Sequence, residues 1–136
     1  LSKVHLTRAS STGGGGKNEL FVHSASLDSG EIEVVDGIPV TCAARTVIDI
    51  ARSVPFEQAV VVGDAALQRE IVSKNELALT LERARNMKGI AAARRAVAFM
   101  DSRSESVGES RSRVLFHTQG VASPQCRLKS TTRSIR

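Results

Sequence analysis

Tryptophan and tyrosine are absent from this 136-residue chain, and phenylalanine occurs only four times. Val, Ile, Leu and Ala must therefore fill whatever interior it builds. No apolar run approaches the roughly 20 residues that a membrane-crossing helix needs. No signal-peptide pattern occurs, so the expected compartment is the cytoplasm. Cysteine is nearly absent too. Cys42 and Cys126 stand far apart and form no CxxC pair, which argues against a zinc finger and a disulfide framework. Cys42 is expected as a small buried residue near a helix start, and Cys126 as an exposed thiol. His5, His23 and His117 are the only histidines. His5 and His23 would approach each other if their strands pair, but no third ligand follows with a defined spacing, so neither a metal nor another cofactor is expected. No serine carries a nucleophile-elbow sequence, and Cys42 has no histidine near it in sequence.

The length suits one domain, or one and a fraction, with enough chain to bury a core. The net charge of +5 is concentrated at one end. Residues 1–101 hold 12 basic and 12 acidic residues, whereas residues 102–136 hold 7 basic and 2 acidic. A basic end of this kind attracts nucleic acid by counterion release, or simply remains solvated.

Residues 1–8 (LSKVHLTR) alternate at Val4 and Leu6 as a half-buried strand does. The Ser/Gly-rich residues 10–17 predict a loop, and residues 19–24 (ELFVHS) predict a second strand in a hairpin with the first. Residues 31–35 and 38–41 predict two more strands around an Asp36-Gly37 turn. Thereafter the pattern is helical. Thr41 is positioned to cap a helix to about Ser53, with Ala44, Val47, Ile48 and Ala51 on one face, turned toward the sheet, and Arg45 and Asp49 four apart. Pro55 fits the first turn of a helix to about Arg69, and residues 73–76 (SKNE) form a capping box for a third helix to about Asn86. Gly89 punctuates the chain before an alanine-rich helix over residues 91–100. Residues 101–106 are a polar break, and residues 104–116 (SESVGESRSRVLF) begin a fifth helix stopped by Gly120. The expected fold is α+β, with a small antiparallel sheet over 1–41, about four helices over 42–101, one further helix over 102–122 and a disordered basic tail over 123–136.

The run GGGGK at residues 13–17 invites a phosphate-loop reading. It fails, because Ser11 stands where the first glycine belongs, Asn18 where Ser or Thr belongs, and a strand rather than a helix follows. Arg83, Arg85, Lys88, Arg94 and Arg95 straddle the turn between the third and fourth helices. They form either a phosphate-holding cluster or a solvated helical face. Glu105 and Glu109 share one face at the start of the fifth helix, where acids favour the helix dipole, with Arg111 and Arg113 beyond.

In order, the segments VHLTR, FVHSASL, EIEVVDGIPVTCAARTVIDIAR, FEQAVVVGDAALQREIVSKNEL and SRSESVGESRSRVLF resemble an actinobacterial family related to the AbiE-type antitoxins of type IV toxin–antitoxin systems. Residues 37–52 are the most specific match, residues 108–113 the next, and the resemblance spans roughly residues 1–124. It implies a winged-helix DNA-binding domain ahead of the matched segment, and a C-terminal domain similar to very-short-patch-repair endonucleases of the PD-(D/E)xK class. It also implies repression of the protein's own promoter and a nucleotidyltransferase-type toxin as partner.

On the resemblance, Glu109 is the helix-borne acid of a nuclease site. Metal-dependent phosphodiester cleavage needs carboxylates from several elements, and no carboxylate follows Glu109 in this chain. The expectation is thus a truncated antitoxin-like or regulator-like protein that binds and does not catalyse. The alternative is a subunit or remnant of a DNA endonuclease whose missing acids come from another chain. Expected partners are a toxin of that type or a second copy of the chain, and weakly bound nucleic acid. The phosphate contacts expected are Arg111, Arg113, Arg127, Lys129, Arg133 and Arg136. No membrane partner is expected.

Overall fold

The computed structural model describes residues 4–8, 15–17, 20–24 and 26–122. The fold is α+β, with small sheets followed by five helices. Strands β1 (Val4–Arg8), β2 (Gly15–Lys17) and β3 (Leu20–Ser24) form one sheet in the order β1-β3-β2. Strands β4 (Ile32–Val35) and β5 (Ile38–Thr41) form a separate antiparallel hairpin. At its tip Asp36 and Gly37 have φ of 51° and 78°. Two consecutive positive φ values are what a two-residue type I′ turn demands, and Asp-Gly supplies them at low cost.

The first sheet departs from expectation in three ways. β1 and β3 pair in parallel, with Val4 opposite Leu20 and Arg8 opposite Ser24, and are not a hairpin. Part of the expected glycine-rich loop is strand β2, which runs antiparallel to β3 on its other side. The faces of β1 are also reversed, for Val4 and Leu6 are exposed while His5 and Thr7 are half-buried. His5 stacks on Phe21 with centroids 5.6 Å apart, and the Thr7 hydroxyl points at Asp49, 3.5 Å away. A period of two predicts a strand, but not which face or which neighbour it finds. The same register sets Thr7, not His5, opposite His23.

Helices α1 (Ala43–Ala51), α2 (Phe56–Gln68), α3 (Lys74–Arg83), α4 (Ile90–Phe99) and α5 (Val107–Thr118) make the body. Cys42, half-buried, rather than Thr41, occupies the cap of α1; the Thr41 hydroxyl instead lies 2.7 Å from that of Thr46. The amphipathic face of α1 is buried as expected, with Ile48 and Ala51 at 1% exposure or less. It does not lie on the sheet, however. α1 packs against α2, α3 and α4, and Val47 and Ile48 share a core with Val60, Leu77, Ala93 and Val97. Helices shield that stripe because the two short sheets are too small to cover it.

The Ser73 capping box forms as the sequence predicts: the Glu76 N–H donates to Ser73 Oγ at 3.2 Å, and the Ser73 N–H donates to Glu76 at 2.7 Å. The Ser73 N–H, and after it the Ser73 hydroxyl, hold the Glu76 carboxyl below the usual carboxylate range. α5 packs along α2, and Val114 joins the common core. The expected boundary near residue 101 is therefore crossed by a packed interface. Gly120, at φ 67°, follows the end of α5. Among the described residues no helix is long and apolar enough to cross a membrane.

Candidate functional site

Three features outside the apolar core could do chemistry or recognition. The first is a buried charge cluster on α1. Arg45, 1% exposed, donates from Nε to Asp49 at 3.0 Å and from Nη1 to Glu31 at 2.9 Å and the Ser26 carbonyl at 3.2 Å. Asp49 also accepts from Arg52 at 2.7 Å. The four-residue spacing of Arg45 and Asp49 was legible in the sequence; Glu31 was not, because it comes from the turn before β4. Two cations and two carboxylates thus neutralise each other away from water, and they tie the hairpin's base to the helices.

The second is the seam between α2 and α5. Ser106 caps α5 by accepting from the Glu109 N–H at 3.1 Å, and the Glu109 carboxylate accepts from the Glu105 N–H at 2.8 Å. With the helix started there, Ser110, Arg113 and Val114 fall on its inner face. Asp64, 1% exposed, faces them. It accepts from Ser110 Oγ at 2.6 Å, Arg113 Nη1 at 2.8 Å and the Asp101 N–H at 2.7 Å. Ser104 Oγ lies 2.8 Å from Ser110 Oγ. Arg113 also donates to the Phe99 carbonyl at 2.6 Å and lies over the Phe99 ring, 4.7 Å from its centroid. His117 stands at the far end, 4.9 Å from the Phe99 ring.

Burial is the strongest influence on Asp64 and raises its pKa, against the hydrogen bonds and the guanidinium that pull it down. Nearby, burial lowers the pKa of Lys74, whose Nζ donates to the Val97 carbonyl at 2.6 Å. Asp101 is held down to about 2, chiefly by its bonds from Arg103.

Of the residues singled out in the sequence, Glu109 is half-buried and engaged in the cap. Arg111 is exposed and pairs with Glu57 at 2.6 Å. Arg113 is buried and committed to Asp64, not turned outward as a phosphate contact requires. Arg127, Lys129, Arg133 and Arg136 lie outside the described residues. Asp64 was missed. Its signal was a single carboxylate in the middle of the otherwise apolar stretch AVVVGDAAL. Among the described residues no group of three or more His, Cys, Asp or Glu could hold a metal ion.

The third feature is the β4–β5 hairpin. Val34 is 71% exposed and Ile38 63%, with Ile32, Val35 and Val40 also open to solvent. Three exposed acids accompany them: Asp28 before the hairpin, Glu33 within β4 and Asp36 at the turn. Between the hairpin and β1 runs a groove of about 470 Å³, lined by Val4, Leu6, Leu27, Ile32 and Ile38 among others.

No family model matches the chain. It is similar to two Mycobacterium tuberculosis proteins, Uncharacterized protein MT2308 from strain CDC 1551 / Oshkosh and Uncharacterized protein Rv2248 from strain ATCC 25618 / H37Rv. Each is 31% identical over 94 residues, which cover 69% of this chain and 35% of the relative. The chain thus spans about a third of the length of the curated relatives it matches. No solved structure matches it.

Proposed function

We propose that this chain is part of an antitoxin-like, regulator-like protein that acts by holding a protein partner and not by catalysis. The observation that carries the reading is the exposed apolar hairpin with its acidic residues. An isolated two-stranded hairpin is marginal in water, yet this one is anchored at its base through Glu31 to the buried Arg45. Its faces are open, and five of its strand residues are exposed large apolar side chains. Large apolar side chains exposed on both faces of the hairpin, Ile32 and Val34 on one and Val35, Ile38 and Val40 on the other, suit an element that a protein partner covers. The acidic residues on and beside it favour a partner surface that carries basic as well as apolar groups. The resemblance of residues 37–52 to AbiE-type antitoxins makes a nucleotidyltransferase-type toxin the partner of choice. Engagement of the Glu109 carboxylate in the helix cap fits a structural rather than a metal-binding use of that acid.

Co-expression of the chain with a nucleotidyltransferase-type toxin tests the proposal. The chain should relieve the growth arrest that the transferase causes, and Val34→Asp/Ile38→Asp should abolish relief while leaving the melting midpoint unchanged. No relief, or equal relief by the variant, overturns it. A concentration-dependent dimer that the same double variant dissolves would assign the hairpin to a second copy instead. Plasmid cleavage that needs Mg²⁺ or Mn²⁺ and disappears in Glu109→Ala would return the endonuclease reading.

A further inference from the structure

The connection between α3 and α4 carries a surface that partner docking at the hairpin does not use. Residues 83–95 contain Arg83, Arg85, Lys88, Arg94 and Arg95 and no acidic residue. All five cations are exposed. They come from the end of α3, the connecting turn and the first turns of α4, two helices in contact with each other. Among the described residues the one ion pair these cations make is Arg94 with Glu82 at 3.5 Å, and both side chains are exposed, so water screens it. Residues 1–101 are neutral as a whole. A concentration of five cations here therefore means charge segregation rather than general basicity.

The corner is also held in place. Arg52 donates from Nε to the Lys88 carbonyl at 2.7 Å, while its Nη1 is fixed by the buried Asp49 at 2.7 Å. Gly89, at φ 80°, lies so close to the Arg52 carbonyl that a Cβ would approach it to 2.4 Å. The cations thus project from a backbone braced against α1, and less ordering entropy is lost when they meet a ligand.

We propose that the α3–α4 turn binds the phosphate backbone of duplex nucleic acid. Four of the five cations are arginines, whose planar fork suits phosphate oxygens better than the point charge of lysine. None of the exposed large apolar side chains falls within residues 83–95, whereas docking on a lipid surface needs such groups to enter the headgroup layer. No aromatic residue occurs in the stretch, so unpaired bases find no stacking platform there. Contacts with phosphates alone hold a duplex without reading its sequence. These cations are separate in sequence from Arg111 on α5 and from the basic residues beyond position 122.

Fluorescence anisotropy of the full chain with two unrelated labelled duplexes tests this. With four phosphate contacts, affinity should fall about a hundredfold between 50 and 200 mM salt, equally for both duplexes. Arg83→Gln/Arg85→Gln/Lys88→Gln/Arg95→Gln should weaken binding at 50 mM salt about a hundredfold and reduce the log–log salt slope by about 3.6. A variant with Arg127, Lys129, Arg133 and Arg136 all changed to Gln should lose less. The patch variant alters exposed positions only, so its melting midpoint should equal the parent's. Should it melt lower, Arg85→Gln/Lys88→Gln, confined to the turn, is measured in its place, with an expected slope change of about 1.8. The proposal is overturned if the patch variant binds as the parent does, or if the parent binds neither duplex. Binding to phosphatidylglycerol vesicles without binding to duplex would overturn it in favour of a lipid surface. A preference of about a thousandfold for one duplex, the range of specific recognition, would also overturn it.

Discussion

Removing either partner of the Asp64–Arg113 pair should be costly, but the two removals should not cost the same. The side chains are 1% and 10% exposed, and the pair is 2.8 Å long. Breaking a buried pair typically costs about 3–5 kcal/mol, because one charge is left uncompensated. In Asp64→Ala the stranded group is a guanidinium, which cannot shed its proton. It keeps the Phe99 carbonyl at 2.6 Å but loses its counter-charge, so the upper half of that range, about 4–5 kcal/mol, is expected. In Arg113→Met the stranded group is a carboxyl whose pKa burial already raises. It escapes by taking up a proton and keeps its bonds from Ser110 and the Asp101 N–H. The expected cost is about 2–3 kcal/mol at pH 7. A folded-state pKa above the unfolded one means that the native state binds more protons, so stability is greatest at low pH and falls as pH rises through the folded value. The cost of Arg113→Met should therefore be smaller at pH 4.5 than at pH 7, and that of Asp64→Ala nearly the same at both. Urea unfolding of parent, both single variants and the double variant at the two pH values measures this. Equal costs for the two variants, no pH dependence in Arg113→Met, or a double variant additive to within about 0.5 kcal/mol would refute the coupling.

Other perturbations test the rest of the fold. Val47, 4% exposed in the helical core, should not tolerate charge: Val47→Asp is expected to cost about 4 kcal/mol, and an unchanged thermal midpoint would put this face in solvent. Gly89→Ala combines a positive φ with a Cβ directed at the Arg52 carbonyl; a loss of about 2 kcal/mol in chemical denaturation is expected, and no loss would mean that the corner yields. Asp101, depressed to about 2 by Arg103, contributes stability that is present above its unfolded value and lost as pH falls through about 2. The pair is partly exposed, so less than about 1 kcal/mol is expected. Comparing Asp101→Asn with the parent from pH 5 down to 2 should show the parent losing more.

Much of the helical half, and the turn of the β4–β5 hairpin, was legible in local chemistry. The Ser73 capping box, the Asp36-Gly37 turn, the apolar stripe of α1 and the Arg45–Asp49 spacing depend on neighbours within four residues, and each is found where the pattern places it. The sheet was less legible. The period of β1 was right, but its buried face and its parallel partner were not, since both depend on contacts with Phe21 and Asp49 far along the chain. The same limit applies to the site. Glu109 and the arginines of α5 stood out by composition, whereas Asp64, the residue that organises the seam, stood out only as a lone charge among apolar neighbours.

The amino-acid order alone determined the α+β class, the Asp36-Gly37 turn, the Ser73 cap and the concentration of cations in residues 83–95, because those follow from residue conformational preferences and charge counts. Tertiary structure alone decided that α1 packs among helices rather than on a sheet, and that Arg113 points inward to Asp64 while Arg111 points out. It also decided that the apolar hairpin stands uncovered. These outcomes turn on which surfaces meet between elements, for Asp64 and Arg113 across 49 residues. Burial there converts a carboxylate and a guanidinium that would be ordinary in water into a pair that neither side can leave without cost.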